Sequence, residues 1–246
     1  MCKFLFFLTG SIFFALSAVA APSASDVLKL LDSARGNAKQ GVEIQLAVTT
    51  IIMGGEQETK RYRLLDNGLD STIVEFLDPS ERGNKILSSP SEMWFFAARA
   101  RRAIKVPSVQ RLFGDASIGD VAKLAFGRDY RTEGDTPHVE VASDERRLRI
   151  GLTARRESAT YSRIAIRVRE RDLVPVYAEY FLASGKHGKT AEFVNAKVVG
   201  GRLVNDEWLL SEPSNPNRKT RIKVESVEEK DFPDSWFTQR YLELSR

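Results

Sequence analysis

The sequence RIAIRVR at residues 163–169 decides the fold class, because apolar and basic side chains alternate along it. Isoleucine or valine occupies positions 164, 166 and 168, and arginine occupies positions 163, 167 and 169. An extended chain with this pattern has one apolar face and one wet face. Such a strand is typical of an antiparallel sheet that is covered on one side only.

The same period of two recurs on both sides of this segment. Upstream, it begins at Val42–Val48, and the glycine-containing turns at 54–55 and 67–68 predict hairpins. Downstream, further hairpins turn at 185–188 and 200–201. The chain has no long linker, no fixed repeat and no low-complexity tract. We therefore predict about ten strands in a single domain over residues 21–246.

Two helices interrupt the strands. An amphipathic helix is predicted over Ala21–Asn37, with Ser25 as its cap and Leu30 on its apolar side. A shorter helix is predicted after Ser117, with Asp120 in its first turn. Each helix has an apolar side that the concave side of a curved sheet can cover. The expected fold is mainly β with a few helices (α+β): an incomplete antiparallel β-barrel whose concave face is covered by helices.

Residues 1–20 have the pattern of a cleaved secretory signal peptide. Lys3 precedes the apolar run Phe4–Val19, and the run ends in small residues up to Ala20. An uncleaved membrane anchor is the alternative, but the run is shorter than the roughly 20 residues that span a bilayer. Cys2 is the one cysteine and would leave with the signal, so disulfides and thiolate chemistry are not expected.

The charge distribution argues against nucleic acid as a partner. The formal net charge is only +4, and an exported protein does not ordinarily meet nucleic acid. Basic residues crowd two segments, 99–111 and 163–171. Either cluster could face anionic lipid, although a run of charges is more often a solvated face.

No catalytic or metal-binding constellation is recognisable, so we expect no enzyme, cofactor or metal. His138 and His187 lack a second histidine or a close carboxylate at ligand spacing. Ser117 lies near Asp115 and Asp120, which permits a hydrolase interpretation, but a helix-capping serine has the same surroundings in sequence.

Aromatic residues are abundant in the strands, from the run Trp94–Phe96 to Trp208 and Trp236. They could simply fill the core, which is the common use of aromatics in sheets. They could also line an apolar cavity for an acyl chain, with a basic rim at an anionic head group.

Several motifs resemble the LolA-like outer-membrane lipoprotein-sorting family. They are the segment Phe76–Gly83, the run Met93–Phe96, the basic cluster 101–104, the segment Phe113–Asp120 and the ending Asp231–Thr238. The chain departs from the family pattern at Gly114-Asp115-Ala116, where Gly-Ser-Asp is usual. The resemblance extends over most of the sequence after residue 20.

The resemblance implies a periplasmic carrier that moves lipid or lipoprotein acyl chains toward the outer membrane without covalent chemistry. It also implies exchange with an inner-membrane transporter and an outer-membrane receiver. The cavity residues expected are Leu46, Val48, Val74, Phe76, Trp94, Phe96, Ile164, Ile166 and Phe193. The lid residues expected are Ile118, Val121 and Leu124. The head-group rim expected is Arg99, Arg101, Arg102 and Lys105. The alternative is a sensor or adaptor of the same fold that binds a membrane transporter or signalling protein.

Overall fold

The computed structural model describes residues 22–34, 41–122, 126–142, 145–199 and 202–245. The expected signal peptide at 1–20 and the expected lid residue Leu124 lie outside the described residues. The helices are α1 (Ala24–Ala34), α2 (Ile118–Ala122), α3 (Phe126–Asp129) and α4 (Gln239–Leu244), with a single 3-10 turn at Asp234–Trp236.

The strands of the first half are β1 (Val42–Ile52), β2 (Gln57–Asp66), β3 (Thr72–Phe76), β4 (Lys85–Ser88), β5 (Met93–Phe96), β6 (Ile104–Lys105), β7 (Arg111–Phe113) and β8 (Ala116–Ser117). The strands of the second half are β9 (Tyr130–Thr132), β10 (His138–Ala142), β11 (Glu145–Ala154), β12 (Arg163–Arg169), β13 (Pro175–Phe181), β14 (His187–Val199), β15 (Arg202–Ser211) and β16 (Arg218–Glu229).

Within the described ranges, fourteen of these strands form one open antiparallel sheet. From one edge to the other, β10 to β16 follow in chain order, then β1 to β6, while β9 pairs with β11 beside β10. The first strand therefore lies beside the last one, along the whole of β1. The short strands β7 and β8 pair separately. The predicted curved, mainly β fold with helices is confirmed.

Strand β12 shows how the alternating sequence becomes two faces. Ile164 and Ile166 are completely buried, whereas Arg163 on the opposite face is exposed. Register shifts at Gln45/Leu46 in β1 and at Tyr180/Phe181 in β13 interrupt the regular ladder. Such bulges bend a strand and increase its twist, which favours a curved sheet.

We call the face that carries Ile164 and Ile166 the inner face. Its apolar side chains form one large cluster with residues of α1, α2 and α3, which cover it. The opposite, outer face has a second and smaller cluster on β2 to β5. The C-terminal segment covers that cluster, where the rings of Trp236 and Tyr241 stack with centroids 5.1 Å apart.

Helix α1 begins two residues earlier than the predicted cap implies. Ser23, not Ser25, is the capping side chain, since its Oγ accepts a hydrogen bond from the amide of Asp26 at 3.2 Å. The expectation that Leu30 belongs to the apolar side is wrong, because Leu30 is 49% exposed. The carboxylate of Asp32 accepts the amides of Phe126 and Gly127 at 2.6 and 2.7 Å, which joins α1 to α3.

Candidate functional site

Six of the nine expected cavity residues lie together in the inner-face cluster. They are Leu46, Val48, Val74, Phe76, Ile164 and Ile166. Their exposed fractions range from 0 to 7%. Phe193 is partly buried and packs against the same cluster. The inner face is thus apolar, as expected, but its side chains are closely covered.

Trp94 and Phe96 lie on the other side of the sheet, so their assignment to the inner face is wrong. In β5, Met93 and Phe95 point to the inner cluster, whereas Trp94 and Phe96 belong to the outer one. Four consecutive apolar residues have no alternation from which the phase could be determined. Burial of the outer pair depends on the C-terminal segment, including Leu242.

The expected lid helix is present as α2 and packs on the inner face. Ile118 and Val121 are 3% and 9% exposed and belong to the inner cluster. The segment 114–122, which we call the lid segment, includes β8 and α2. Its polar residues anchor it to the sheet at two places.

The first anchor joins the start of the lid segment to β16 and β1. The Asp115 side chain is completely buried and accepts a hydrogen bond from Arg218 Nε at 2.7 Å. Its amide donates to Thr220 Oγ1, also at 2.7 Å. Gly114 has φ +57°, and a Cβ at this position would overlap the hydroxyls of Thr50 and Thr220. Only glycine allows the backbone this conformation and this close approach.

The second anchor lies at the start of α2, where Ser117 and Asp120 form the predicted cap. The amide of Asp120 donates to Ser117 Oγ at 3.3 Å, and the amide of Ser117 donates to Asp120 Oδ2 at 2.8 Å. This is the reciprocal arrangement of a capping box. Asp120 also binds Lys189 of β14 in a salt bridge and accepts the Tyr161 hydroxyl at 2.5 Å.

These charged groups are almost inaccessible to water. Asp120, Lys189 and Tyr161 are 3%, 4% and 2% exposed. Burial alone raises the pKa of the Asp120 carboxyl, but the ammonium group of Lys189 outweighs it and holds this pKa below its ordinary value. Burial, followed by the nearby Asp120 carboxylate, raises the pKa of Tyr161 well above its ordinary value. The lowered pKa favours the carboxylate form of Asp120, to which the Tyr161 hydroxyl donates a hydrogen bond.

Gly119 lets the lid segment approach the loops on either side. Its amide donates to the Ser108 carbonyl at 2.8 Å. A Cβ at Gly119 would lie 2.5 Å from Thr160 Cγ2 and 2.9 Å from that carbonyl oxygen. These neighbours leave no space for a side chain, so the lid segment is fitted closely to the loops at 108 and 160.

A cleft of about 1020 Å³ opens beside the lid segment. Residues 91–93 and 105–109 line one wall, and residues 153–162 and 182–184 line the other. The cleft therefore lies between the β5–β6 edge of the sheet and the loop that joins β11 to β12. None of the nine expected cavity residues is part of its lining.

A smaller cavity of about 280 Å³ shares Val109, Tyr161 and Leu182 with the cleft. Ser117 and His187 both line it, so the structure places a histidine near the serine of the hydrolase interpretation. However, the Ser117 hydroxyl caps α2, and His187 Nε2 lies 3.1 Å from the Lys189 carbonyl oxygen. An activated serine nucleophile requires a hydrogen bond to a general base. In the part of the chain that the structure describes, no hydrogen bond joins Ser117 to an imidazole.

The two basic clusters have different surroundings. On the outer face, Arg167 binds Glu140 and Glu179 at 2.9 and 3.1 Å, so this cluster is paired with acids. Of the expected rim residues, only Lys105 lines the cleft, and it binds Glu92 at 2.8 Å. The other three, Arg99, Arg101 and Arg102, are exposed in the turn that follows β5.

In the ranges that the structure describes, no group of three or more histidine, cysteine, aspartate or glutamate side chains has the geometry of a metal site. No helix in those ranges combines the length and the apolar character needed to cross a membrane.

The comparisons with known proteins agree with the geometry. A sequence profile of a family described as an uncharacterized protein matches residues 68–244. The solved structure of a LolA superfamily protein from Nitrosomonas europaea is 25% identical, with a TM-score of 0.81, over 90% of this chain and 100% of that one. The chain belongs to this uncharacterized family, and its fold is LolA-like. No curated protein matches this LolA-like sequence.

Two more distant structures share the fold of this LolA-like protein. A DUF1329 family protein from Desulfovibrio piger is 18% identical with a TM-score of 0.72, over 89% of this chain and 97% of that one. An outer-membrane lipoprotein-sorting protein domain from Vibrio parahaemolyticus is 12% identical with a TM-score of 0.69, over 88% and 97%. This chain thus shares its fold with both proteins.

Lys189 and Arg218, the two basic partners of the lid segment, were not predicted from the sequence. Each lies among other charged residues in the sequence and looks like part of a solvated face. One signal was available for Lys189, because it shares the strand phase of the buried Ala191 in β14. A lysine at an inward-facing position requires a buried anionic partner.

Proposed function

We propose that this LolA-like protein is a periplasmic carrier that holds acyl chains of a lipid or lipoprotein and moves them toward the outer membrane. The observation that carries the proposal is the arrangement of one curved sheet whose apolar face is covered by helices. The LolA-like relationship supports it. Residues 1–20 would direct export and would then be cleaved off. The mature protein would act as a single domain over 21–246.

The chemistry of this carrier is binding and release, with no covalent step. Burial of an acyl chain contributes about 0.8 kcal/mol per methylene group, so an apolar surface of modest size retains a chain. Release then requires either a receiver that binds the chain more tightly or a movement of the covering elements. An inner-membrane transporter and an outer-membrane receiver would supply the two ends of this exchange.

Native mass spectrometry of the mature protein, purified from its own periplasm, tests this function. We expect lipid bound in a fixed stoichiometry, and solvent extraction followed by lipid analysis then identifies its class. An empty protein that also takes up no added fluorescent fatty acid contradicts the carrier function.

A sensor or adaptor is the second candidate, and the edge strand β10 favours it. This strand ends the sheet, and Val139 and Val141 on it are 48% and 69% exposed. An exposed apolar edge can accept an added strand from a partner protein. The adaptor predicts a lipid-free protein whose cross-linked periplasmic complex disappears in a folded Val141→Lys variant.

A further inference from the structure

We propose that the cargo of this protein is a single-chain anionic amphiphile that binds in the cleft between β5–β6 and the β11–β12 loop. Its head group would be a carboxylate or a phosphate. This inference rests on the proposed carrier function and specifies where the chain binds and which chemical class it belongs to.

Among the described residues, the inner face exposes almost no surface to a chain while the lid segment is in place. Val48, Val74, Ile164 and Ile166 are completely buried beneath the helices. A chain at this face would have to displace the lid segment. Displacement would separate Asp120 from Lys189 and Asp115 from Arg218, and a buried ion pair is costly to break.

The cleft is open to a chain without any such displacement. Its volume of about 1020 Å³ lies at the upper end of the range for sites that enclose a small ligand. Apolar side chains contribute to both walls, namely Met93, Val106, Ala154, Ala159 and Leu182. Met93 and Tyr161 also belong to the inner-face cluster, so the bottom of the cleft is continuous with the core.

The cleft stays open because it lies at an edge of the sheet. Strand β6 is an edge strand, and no further strand covers it in the described part of the chain. The β11–β12 loop crosses toward it, where Ser158 Oγ donates to the Pro90 carbonyl at 3.4 Å. The sheet does not close here, and the space between the edge and the loop is the cleft.

The charges at the cleft favour an anionic head group. Lys105 and Glu92 neutralise each other across 2.8 Å. The lining also contains Arg155, Arg156 and Glu157, whose charges sum to one net positive charge. Arg155 Nε donates to the Tyr130 carbonyl, whereas Arg156 is exposed and makes no ion pair within the described ranges. A guanidinium group binds carboxylate or phosphate through paired hydrogen bonds.

Titration of the mature protein with a dansyl-labelled fatty acid tests the site. Ala159→Trp fills the cleft, and Ala142→Trp on β10 is its matched control outside the cleft. We expect at least a tenfold rise in Kd for Ala159→Trp and no change for Ala142→Trp. Ala183→Trp at the exposed mouth is a second blocking variant, in case Ala159→Trp does not fold by circular dichroism.

Head-group chemistry is tested with Arg156→Glu, for which Arg171→Glu on the outer side is the control. We expect a several-fold rise in Kd for Arg156→Glu alone. Palmitate and a lysophospholipid should both displace the probe, a neutral monoacylglycerol should do so more weakly, and inorganic phosphate should not. If inorganic phosphate displaces the probe and the lipids do not, the cleft is a site for a free anion and the lipid assignment is overturned.

The two levels of the proposal fail in different ways. No binding to the wild-type protein contradicts the carrier function itself. Binding that survives both tryptophan variants but is lost in a folded Ile166→Glu protein overturns the cleft site and leaves the carrier function standing, with the chain on the inner face.

Discussion

The inner face and the cleft are both apolar, yet one is filled and the other is open. At the inner face, helices cover the side chains, and buried polar groups of the lid segment fix this cover in place. At the cleft, the sheet ends at β6 and only a loop approaches it. Apolar residues alone therefore do not define a cavity in this protein. A cavity stays open where no covering segment is held against the sheet by specific polar contacts.

The largest expected effect comes from removing the basic partner of Asp120. Lys189→Met leaves a buried carboxylate without its counter-charge, so we expect a loss of about 3–5 kcal/mol in the free energy of unfolding. Urea denaturation measures it. Lys186→Met is the control, since Lys186 is exposed on the same hairpin. Equal stabilities for the two variants would mean that the lid segment is not held by this pair.

Acid should weaken the same anchor reversibly. The folded-state pKa of Asp120 lies below its ordinary value of 3.8, so its ionisation stabilises the fold above that value. This contribution is lost as the pH falls through the folded-state pKa. Unfolding free energies measured from pH 6 downward should decline steeply below about pH 4, and less steeply in Asp120→Asn. Parallel acid limbs for the two proteins would contradict this assignment.

A side chain at Gly119 should disturb the fit of the lid segment. Gly119→Ala pushes a Cβ against Thr160 and the Ser108 carbonyl, and overpacking of this kind costs about 1–3 kcal/mol. Gly134→Ala is the matched control, because nothing lies within 4 Å of its Cβ position. Thermal unfolding of both variants decides whether the close approach at 119 matters.

The smallest effect is expected at the cap of α2. Ser117→Ala removes the acceptor for the Asp120 amide, which should lower stability by about 1 kcal/mol. Turnover of a p-nitrophenyl ester should be at background in both proteins. Hydrolysis by the wild type that disappears in Ser117→Ala would instead establish the hydrolase interpretation.

The sequence predicted the fold where alternation was regular and missed what depended on distant partners. Residues 163–169 were assigned to the correct faces because apolar and charged positions alternate strictly. Trp94 and Phe96 were misplaced because their run has no phase and because the C-terminal segment, over 130 residues away, covers the outer face. Two anchors of the lid segment were likewise hidden, since Lys189 and Arg218 reveal their roles only after β14 and β16 are placed in the sheet.

Photo-cross-linking with a fatty acid that has a diazirine at the end of its chain, followed by peptide mapping, tests most directly where the chain binds. We expect labelling at residues 91–93, 105–109, 153–162 and 182–184, which line the cleft. Labelling confined to Val48, Val74 and Ile164 would contradict this expectation, because the chain would then lie on the inner face beneath a displaced lid segment.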